Sequence, residues 1–217
     1  MPMGELFVVE GEQGRQGASA ESDFLFGRSH KSGPAPRCSS CGKWLRMRVW
    51  RLPHVVELRL WGPAYPDVVF GPGDDLLVSS RFAEEWRRRS FVGIEGFEPV
   101  ELGKVTGDRR ISGTRPRFAR CHVLTSESAI DDERSGVVRQ GEPACPECRL
   151  GGPTLRCDRI VLETLPREDL FFARGLPGIY LASWRLRELA NSVSLLGTRF
   201  TPAEEYDREW YSPSGTA

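Results

Sequence analysis

The chain has 217 residues, with 30 basic and 30 acidic side chains and no formal net charge at neutral pH. Such a balance supplies no global field to gather nucleic acid or an anionic membrane, and it argues against both as partners. At 39% hydrophobic the chain can bury roughly 70% of its unfolded surface around one core, so residues 1–217 are expected to form a single domain, for which a two-lobed arrangement is compatible. No apolar run follows Met1-Pro2-Met3-Gly4-Glu5 and none elsewhere is long enough to span a bilayer, which predicts neither signal peptide nor membrane span and a cytoplasmic location.

In chain order, Glu5 to Glu10 predicts a short strand. Residues 11–23 open with three glycines and no large apolar side chain up to Ala20, and predict a flexible loop, with order resuming near Phe24. The first cysteine pair follows, Cys38-Ser39-Ser40-Cys41-Gly42. Beyond it, Leu45, Met47 and Val49 alternate with Arg46, Arg48 and Trp50, and after Pro53 the residues Val56, Leu58 and Leu60 alternate with Glu57 and Arg59. This period of two predicts two half-buried strands joined by a turn.

Residues 76–99 and 179–202 predict two versions of one unit. Leu76-Leu77-Val78-Ser79-Ser80 leads into Phe82, Glu85 and Trp86, then Gly93 and Phe97-Glu98-Pro99; Ile179-Tyr180-Leu181-Ala182-Ser183 leads into Leu186, Glu188 and Leu189, then Gly197 and Phe200-Thr201-Pro202. Each reads as strand, serine N-cap, short amphipathic helix, glycine stop and second strand. Aligned on Ser80 and Ser183 the prolines coincide and the glycines miss by one position, so a local length change is required. Between the units, Gly103 to Arg120 is expected to be a solvated Arg-rich loop and Ser126 to Glu133 an acidic one, flanking a strand from Phe118 to Leu124. The second cysteine pair, Cys145-Pro146-Glu147-Cys148, precedes a predicted strand from Leu155 to Leu165. Tyr206 to Tyr211 is expected to pack the tail, with residues 212–217 frayed.

The two CxxC pairs carry the chemistry. In a reducing compartment such pairs bind metal or act in redox exchange more often than they form structural disulfides. Each presents two thiolates from one tight turn, and Cys38, Cys41, Cys145 and Cys148 together complete a four-sulfur shell for structural Zn2+. Cys121 and Cys157 lie in strand-like runs and are expected in the core. His122 beside Cys121 is a substitute ligand should a knuckle cysteine be displaced. Catalytic residues are expected to be none: there is no GxxxxGK[ST], HExxH or GxSxG motif, and His30, His54 and His122 show no triad arrangement. Two alternatives stay open. A zinc-ribbon nucleic-acid module would use Trp44, Arg46, Arg48 and Trp50, and a CxxC thiol oxidoreductase would need a reactive thiolate at Cys38 or Cys145.

The elements together predict an α+β (mixed α/β) fold: an antiparallel-rich sheet, a degenerate strand-helix-strand repeat and a zinc-ribbon-like four-cysteine knuckle pair. In the placing of the knuckles, and in Trp61-Gly62-Pro63, Tyr65-Pro66-Asp67, the Ser80 helix and the run from Asp169-Leu170-Phe171 to Pro202, the chain resembles the double-CxxCG motif family of myxobacterial proteins. The resemblance spans most of the chain and departs at Arg149, where the second knuckle lacks the motif's glycine. Members of similar length act as immunity proteins for Sit-type toxins passed between kin cells. The resemblance therefore implies a cytoplasmic antidote that binds a cognate polymorphic toxin domain stoichiometrically, without a small-molecule substrate. Charge and loop character nominate Arg109 to Arg120, Asp131 to Arg134 and the Arg87 to Arg89 helix end as its binding surface.

Overall fold

The computed structural model describes residues 5–11, 22–26, 31–48, 50–71, 74–107, 113–141 and 144–210. The strands are β1 (Leu6–Glu10), β2 (Ser22–Phe26), β3 (Lys31–Ser32), β4 (Trp50–Arg51), β5 (His54–Leu60), β6 (Val68–Phe70), β7 (Leu76–Ser79), β8 (Ile94–Gly107), β9 (Phe118–Val123), β10 (Thr125–Ala129), β11 (Val138–Arg139), β12 (Thr154–Cys157), β13 (Leu170–Arg174), β14 (Tyr180–Ser183), β15 (Arg199–Pro202) and β16 (Arg208–Glu209); the helices are α1 (Ser80–Arg88) and α2 (Trp184–Ser192). The fold is thus sheet-rich and α+β, with mainly antiparallel pairing; β5 with β8 and β10 with β13 run parallel.

Two larger sheets form the body, with strand orders β2-β5-β8-β9-β7-β6 and β10-β13-β14-β1-β15. Strict alternation along their strands sorts side chains between layers. Leu76 and Val78 enter the same cluster as Val9, Leu170, Phe172, Tyr180 and Ala182, together with Phe82 and Trp86 of α1 and Leu186 and Leu189 of α2. The intervening Leu77 faces Val56, Leu58 and Leu60 on the outer side of the six-stranded sheet, while Val8, Phe171 and Leu181 face Ile160, Leu176 and Tyr206 on the outer side of the five-stranded one. The shared middle cluster contains both helices and inward positions of both sheets.

Corresponding features recur in the two sheets. The hairpin of β6 and β7 leads into α1, and the hairpin of β13 and β14 leads into α2. β9 lies between β7 and β8, and β1 lies between β14 and β15, so local orders match although β1 comes from the chain's start. The capping serines are Ser79 and Ser183, each in extended backbone before its helix. Ser80 is the first helical residue, which corrects the expected cap by one position because the side chain that accepts from the Phe82 N–H is that of Ser79. With Ser79 set against Ser183, Arg81 matches Arg185, left-handed Ser90 (φ 52°) matches Ser194 (φ 51°), and Gly93 matches Gly197. The later Phe97–Phe200 and Pro99–Pro202 spacings are one residue shorter, and β8 carries a register irregularity between Ile94 and Phe97 that accommodates the difference.

The contacts are reciprocal. Asp67 accepts from the Leu196 N–H, and Asp169 accepts from the Val92 N–H; Asp67 also donates its N–H to the Leu196 carbonyl, as Asp169 does to that of Val92. Glycine is required where the chains cross: a Cβ on Gly93 would lie 1.9 Å from the Leu170 carbonyl oxygen, and one on Gly197 2.4 Å from that of Val68.

Several expectations are corrected. No ladder forms over Leu45 to Arg48 before β4, because the backbone there is engaged otherwise: Leu45 donates to the Pro36 carbonyl and Met47 to the Asp74 carboxylate. The strand expected from Leu155 to Leu165 stops at Cys157, since Asp158, Arg159 and Val161 donate instead to Ser135 and Ile160 to Ala203. Ser126 to Ala129 is β10, not a solvated loop, with Ser126 and Ser128 buried. Gly103 to Gly107 extends β8 along β5, and Ser22 and Asp23 already belong to β2. Residues 12–21 of the expected flexible loop and the 212–217 tail lie outside the described residues. Among those residues, no helix is long and apolar enough to cross a membrane.

Candidate metal centre

The segment between β3 and β4 holds the first knuckle, and that between β11 and β12 holds the second. Each is a closed turn. In the first, Gly42 donates to the Cys38 carbonyl and Cys38 to that of Lys43; in the second, Arg149 donates to the Cys145 carbonyl and Cys145 to that of Leu150. The residue after the second cysteine is left-handed in both, Gly42 at φ 71° and Arg149 at φ 61°. The motif's missing glycine is therefore a sequence departure without a change of turn. A left-handed non-glycine residue costs roughly 1–2 kcal/mol, whereas the exposed Arg149–Glu163 ion pair at 2.6 Å contributes less than about 1 kcal/mol. Arg149→Gly is accordingly expected to keep or slightly raise the denaturant midpoint; a clear fall in that midpoint would refute the strain argument.

The turns bring Cys38, Cys41, Cys145 and Cys148 together, with all four Sγ atoms within 4.8 Å of one another. Cys41 and Cys148 Sγ lie 3.6 Å apart, across 107 positions of sequence. None of the cysteines is in a disulfide. Sulfurs bound at about 2.3 Å to one tetrahedral ion sit roughly 3.8 Å apart, so the cluster fits a metal centre made from these four residues. Leu45 and Leu150 pack against it.

Backbone dipoles prepare the cluster unevenly. N–H groups of Cys148 and Glu147 bring the Cys145 thiol down to about 7, and that of Cys41 lowers Cys38. Burial pushes Cys148 up to about 12. Four neighbouring sulfurs cannot all ionise cheaply without a cation among them.

Each knuckle is anchored to a different sheet. Arg46 beyond the first donates to the Val123 carbonyl of β9, Met47 N to Asp74 beside β7, while Arg174 of β13 donates to the Glu147 carbonyl of the second. Lys43 reaches across to the Gly151 carbonyl at 3.1 Å. The sulfur cluster thus joins segments rooted in both sheets.

The other candidates lie elsewhere. Cys121 is in the middle core cluster and its thiol is raised by burial; Cys157 donates to the Arg159 carbonyl in the outer cluster. His122 meets the Glu98 carboxylate at 3.1 Å, and His54 meets the same carboxylate. Burial raises Glu98, but hydrogen bonds from the two imidazoles hold it below its ordinary range. Sequence reading missed this convergence because it depends on β8 pairing with both β5 and β9, and no local spacing announces it. Nearby, Arg120 pairs with Asp75 at 2.7 Å while 6% exposed, which removes it from the nominated surface. Arg87 lies over the Phe97 ring, Arg88 and Arg89 pair with Glu85, and Asp131 caps its own turn through the Arg134 N–H. Arg109 and Arg110 are outside the described residues.

No protein-family model matches the chain, and no curated protein matches it.

Proposed function

We infer that this protein is an immunity protein that neutralises a cognate contact- or exchange-delivered toxin domain by direct stoichiometric binding, on a scaffold pinned by structural zinc. The observation that carries the reading is the meeting of the two knuckles, which are also the motif at the centre of the family resemblance. Cys38, Cys41, Cys145 and Cys148 would hold the zinc. Thiolates are soft donors suited to it, and four of them leave no coordination position for a reacting water. A bound ion would tie together the roots of the two sheets through these four side chains. A rigid scaffold lowers the ordering cost of binding a partner, which suits one-to-one inhibition without turnover.

The matched hairpin–helix–strand units fit the same picture. We read residues 76–99 and 179–202 as degenerate copies of one motif, clasped across an approximate two-fold relation in which Asp67 and Asp169 play the same part. The cytoplasm is the compartment in which such an antidote acts and in which paired thiols stay reduced.

The test is survival of cells co-expressing this protein with the toxin domain encoded beside its gene, with a non-cognate toxin as control. Rescue from the cognate toxin alone, with a co-purifying one-to-one complex, is the expected result. Absence of both rescue and complex would overturn the reading.

A further inference from the structure

Among the described residues of the nominated segments, Arg88, Arg89, Arg120 and Arg134 make ion pairs within the molecule, and the exposed apolar side chains lie elsewhere. Trp44 is 62% exposed, Met47 51% and Leu52 50%, and these are three of the seven large hydrophobic residues exposed among the described residues. All fall within one short stretch of the first knuckle and the chain leading from it. The same stretch carries Arg37, Lys43, Arg46, Arg48 and Arg51, and there is no aspartate or glutamate between Ser32 and Val56. In a chain with zero formal charge, this separates the signs along the sequence, and Arg37, Arg48 and Arg51 are exposed.

The stretch is held in place from behind. The Trp50 ring N–H donates to Asp75 at 2.7 Å, Arg120 donates to the Trp50 carbonyl at 3.1 Å, and Met47 N is held on the Asp74 carboxylate. Asp75 is itself paired with Arg120, and Asp74 accepts from Met47 N beside Arg46, so both acids are engaged from behind the exposed Arg37, Arg48 and Arg51. Glu147 of the other knuckle lines the same cavity as Arg37 and Arg46, and Glu95 and Glu98 of β8 line a second one with Arg46, Met47 and Arg48, so the acids near the stretch lie along the side that faces β8 and the second knuckle.

We propose that residues 37–48 and 50–52 form the docking face of this protein and that its occupant is an acidic protein surface with an apolar centre; on the reading above, that surface belongs to the toxin domain. The argument is charge complementarity combined with residue type. Trp, Met and Arg are the types enriched where protein interfaces concentrate their energy, and the anchored backbone presents them with little ordering cost. A single-stranded nucleic acid would use the cations too, but needs free aromatic faces. Here Trp44, with the Arg37 guanidinium over its ring at 5.2 Å, is the single exposed aromatic among the described residues of the stretch, since Trp50 is anchored on Asp75 and Met47 and Leu52 offer no stacking plane, so successive bases would find no run of platforms.

The test uses the full chain, purified with its metal, and three sets of changes checked by thermal melting: Trp44→Ser with Met47→Ser and Leu52→Ser, Arg48→Glu with Arg51→Glu, and Leu165→Ser as an exposed apolar control. Affinity is measured for the toxin domain encoded beside the gene and for a 20-nucleotide single-stranded DNA. The apolar set is expected to weaken toxin binding about thirtyfold or more. The charge reversal should weaken it about tenfold, mainly through slower association, while Leu165→Ser leaves it unchanged. Toxin binding retained within twofold by the apolar and charge-reversed proteins overturns the face and leaves the immunity reading standing. Absence of toxin binding by the unaltered protein overturns both. Tight DNA binding that collapses with salt and with the charge reversal, in place of toxin binding, overturns the protein occupant in favour of nucleic acid.

Discussion

Cys38→Ser and Cys148→Ser are each expected to destabilise the protein by more than about 4 kcal/mol, the range reached when a structural metal site is lost. Both residues are 4% exposed and lie within one sulfur cluster, so serine removes a ligand and leaves the remaining thiols crowded without a complete shell. Zinc release titrated against thiol reagent should give one ion per chain for the unaltered protein and less than half of that for either variant. Alkylation of the metal-loaded protein should stay slow until a chelator is added, whereas rapid alkylation at neutral pH would favour the thiol oxidoreductase. The knuckle segments are expected to exchange their amide protons first. The β5, β7, β13 and β14 strands retain their own clusters and should remain protected longer. A metal-free protein with unchanged stability would falsify the structural role.

Asp67→Ala and Asp169→Ala form the second pair of large effects, each expected to cost about 3 kcal/mol in denaturant unfolding. The two residues are 6% and 2% exposed. Asp67 accepts from Ser79 Oγ at 2.7 Å and the Leu196 N–H at 3.0 Å; Asp169 accepts from Ser183 Oγ at 2.7 Å and the Val92 N–H at 3.1 Å. Arg81 and Arg185 complete the two sets, but their side chains are 50% and 46% exposed, so the ion pairs are screened and contribute little on their own. The cost arises mainly from buried donors left without an acceptor. Arg81→Ala and Arg185→Ala should therefore cost less than half as much as the aspartate changes. Similar losses at Asp67 and Asp169 are what matched units require. An effect at one position and none at the other would break the correspondence.

Much of the local structure was legible because it follows from period and capping. β1, β5, β7, β9 and both helices lie where alternation, serine and apolar spacing place them. Errors arose where backbone donors found partners outside a ladder. Leu45 to Arg48 has a strand's alternation, but Leu45 N and Met47 N are taken by Pro36 and Asp74. The stretch after Cys157 has strand-like composition, yet Ser135 and Ala203 take its N–H groups. In the other direction, Thr125–Ala129 is polar and still forms a strand, because pairing with β13 and burial of its serines satisfy it from the neighbouring chain.

By itself the sequence determined the candidate ligands, since two CxxC turns are local objects whose geometry is set by a few backbone bonds, and it placed both short helices after their serines. Only the tertiary structure decided that the four sulfurs meet, that Cys121, His122 and Cys157 stand apart from them, and that β1 takes the place in one sheet that β9 takes in the other. It also decided which arginines face outward: Arg120 and Arg48 look alike in sequence, yet one is buried on Asp75 and the other exposed on the knuckle stretch. The physical reason is the same in each case. Cysteine turns and helix caps are closed by neighbours along the chain, whereas ligand convergence, strand order and the pairing of a charge are closed by residues distant in sequence, whose approach depends on the packing of the whole core.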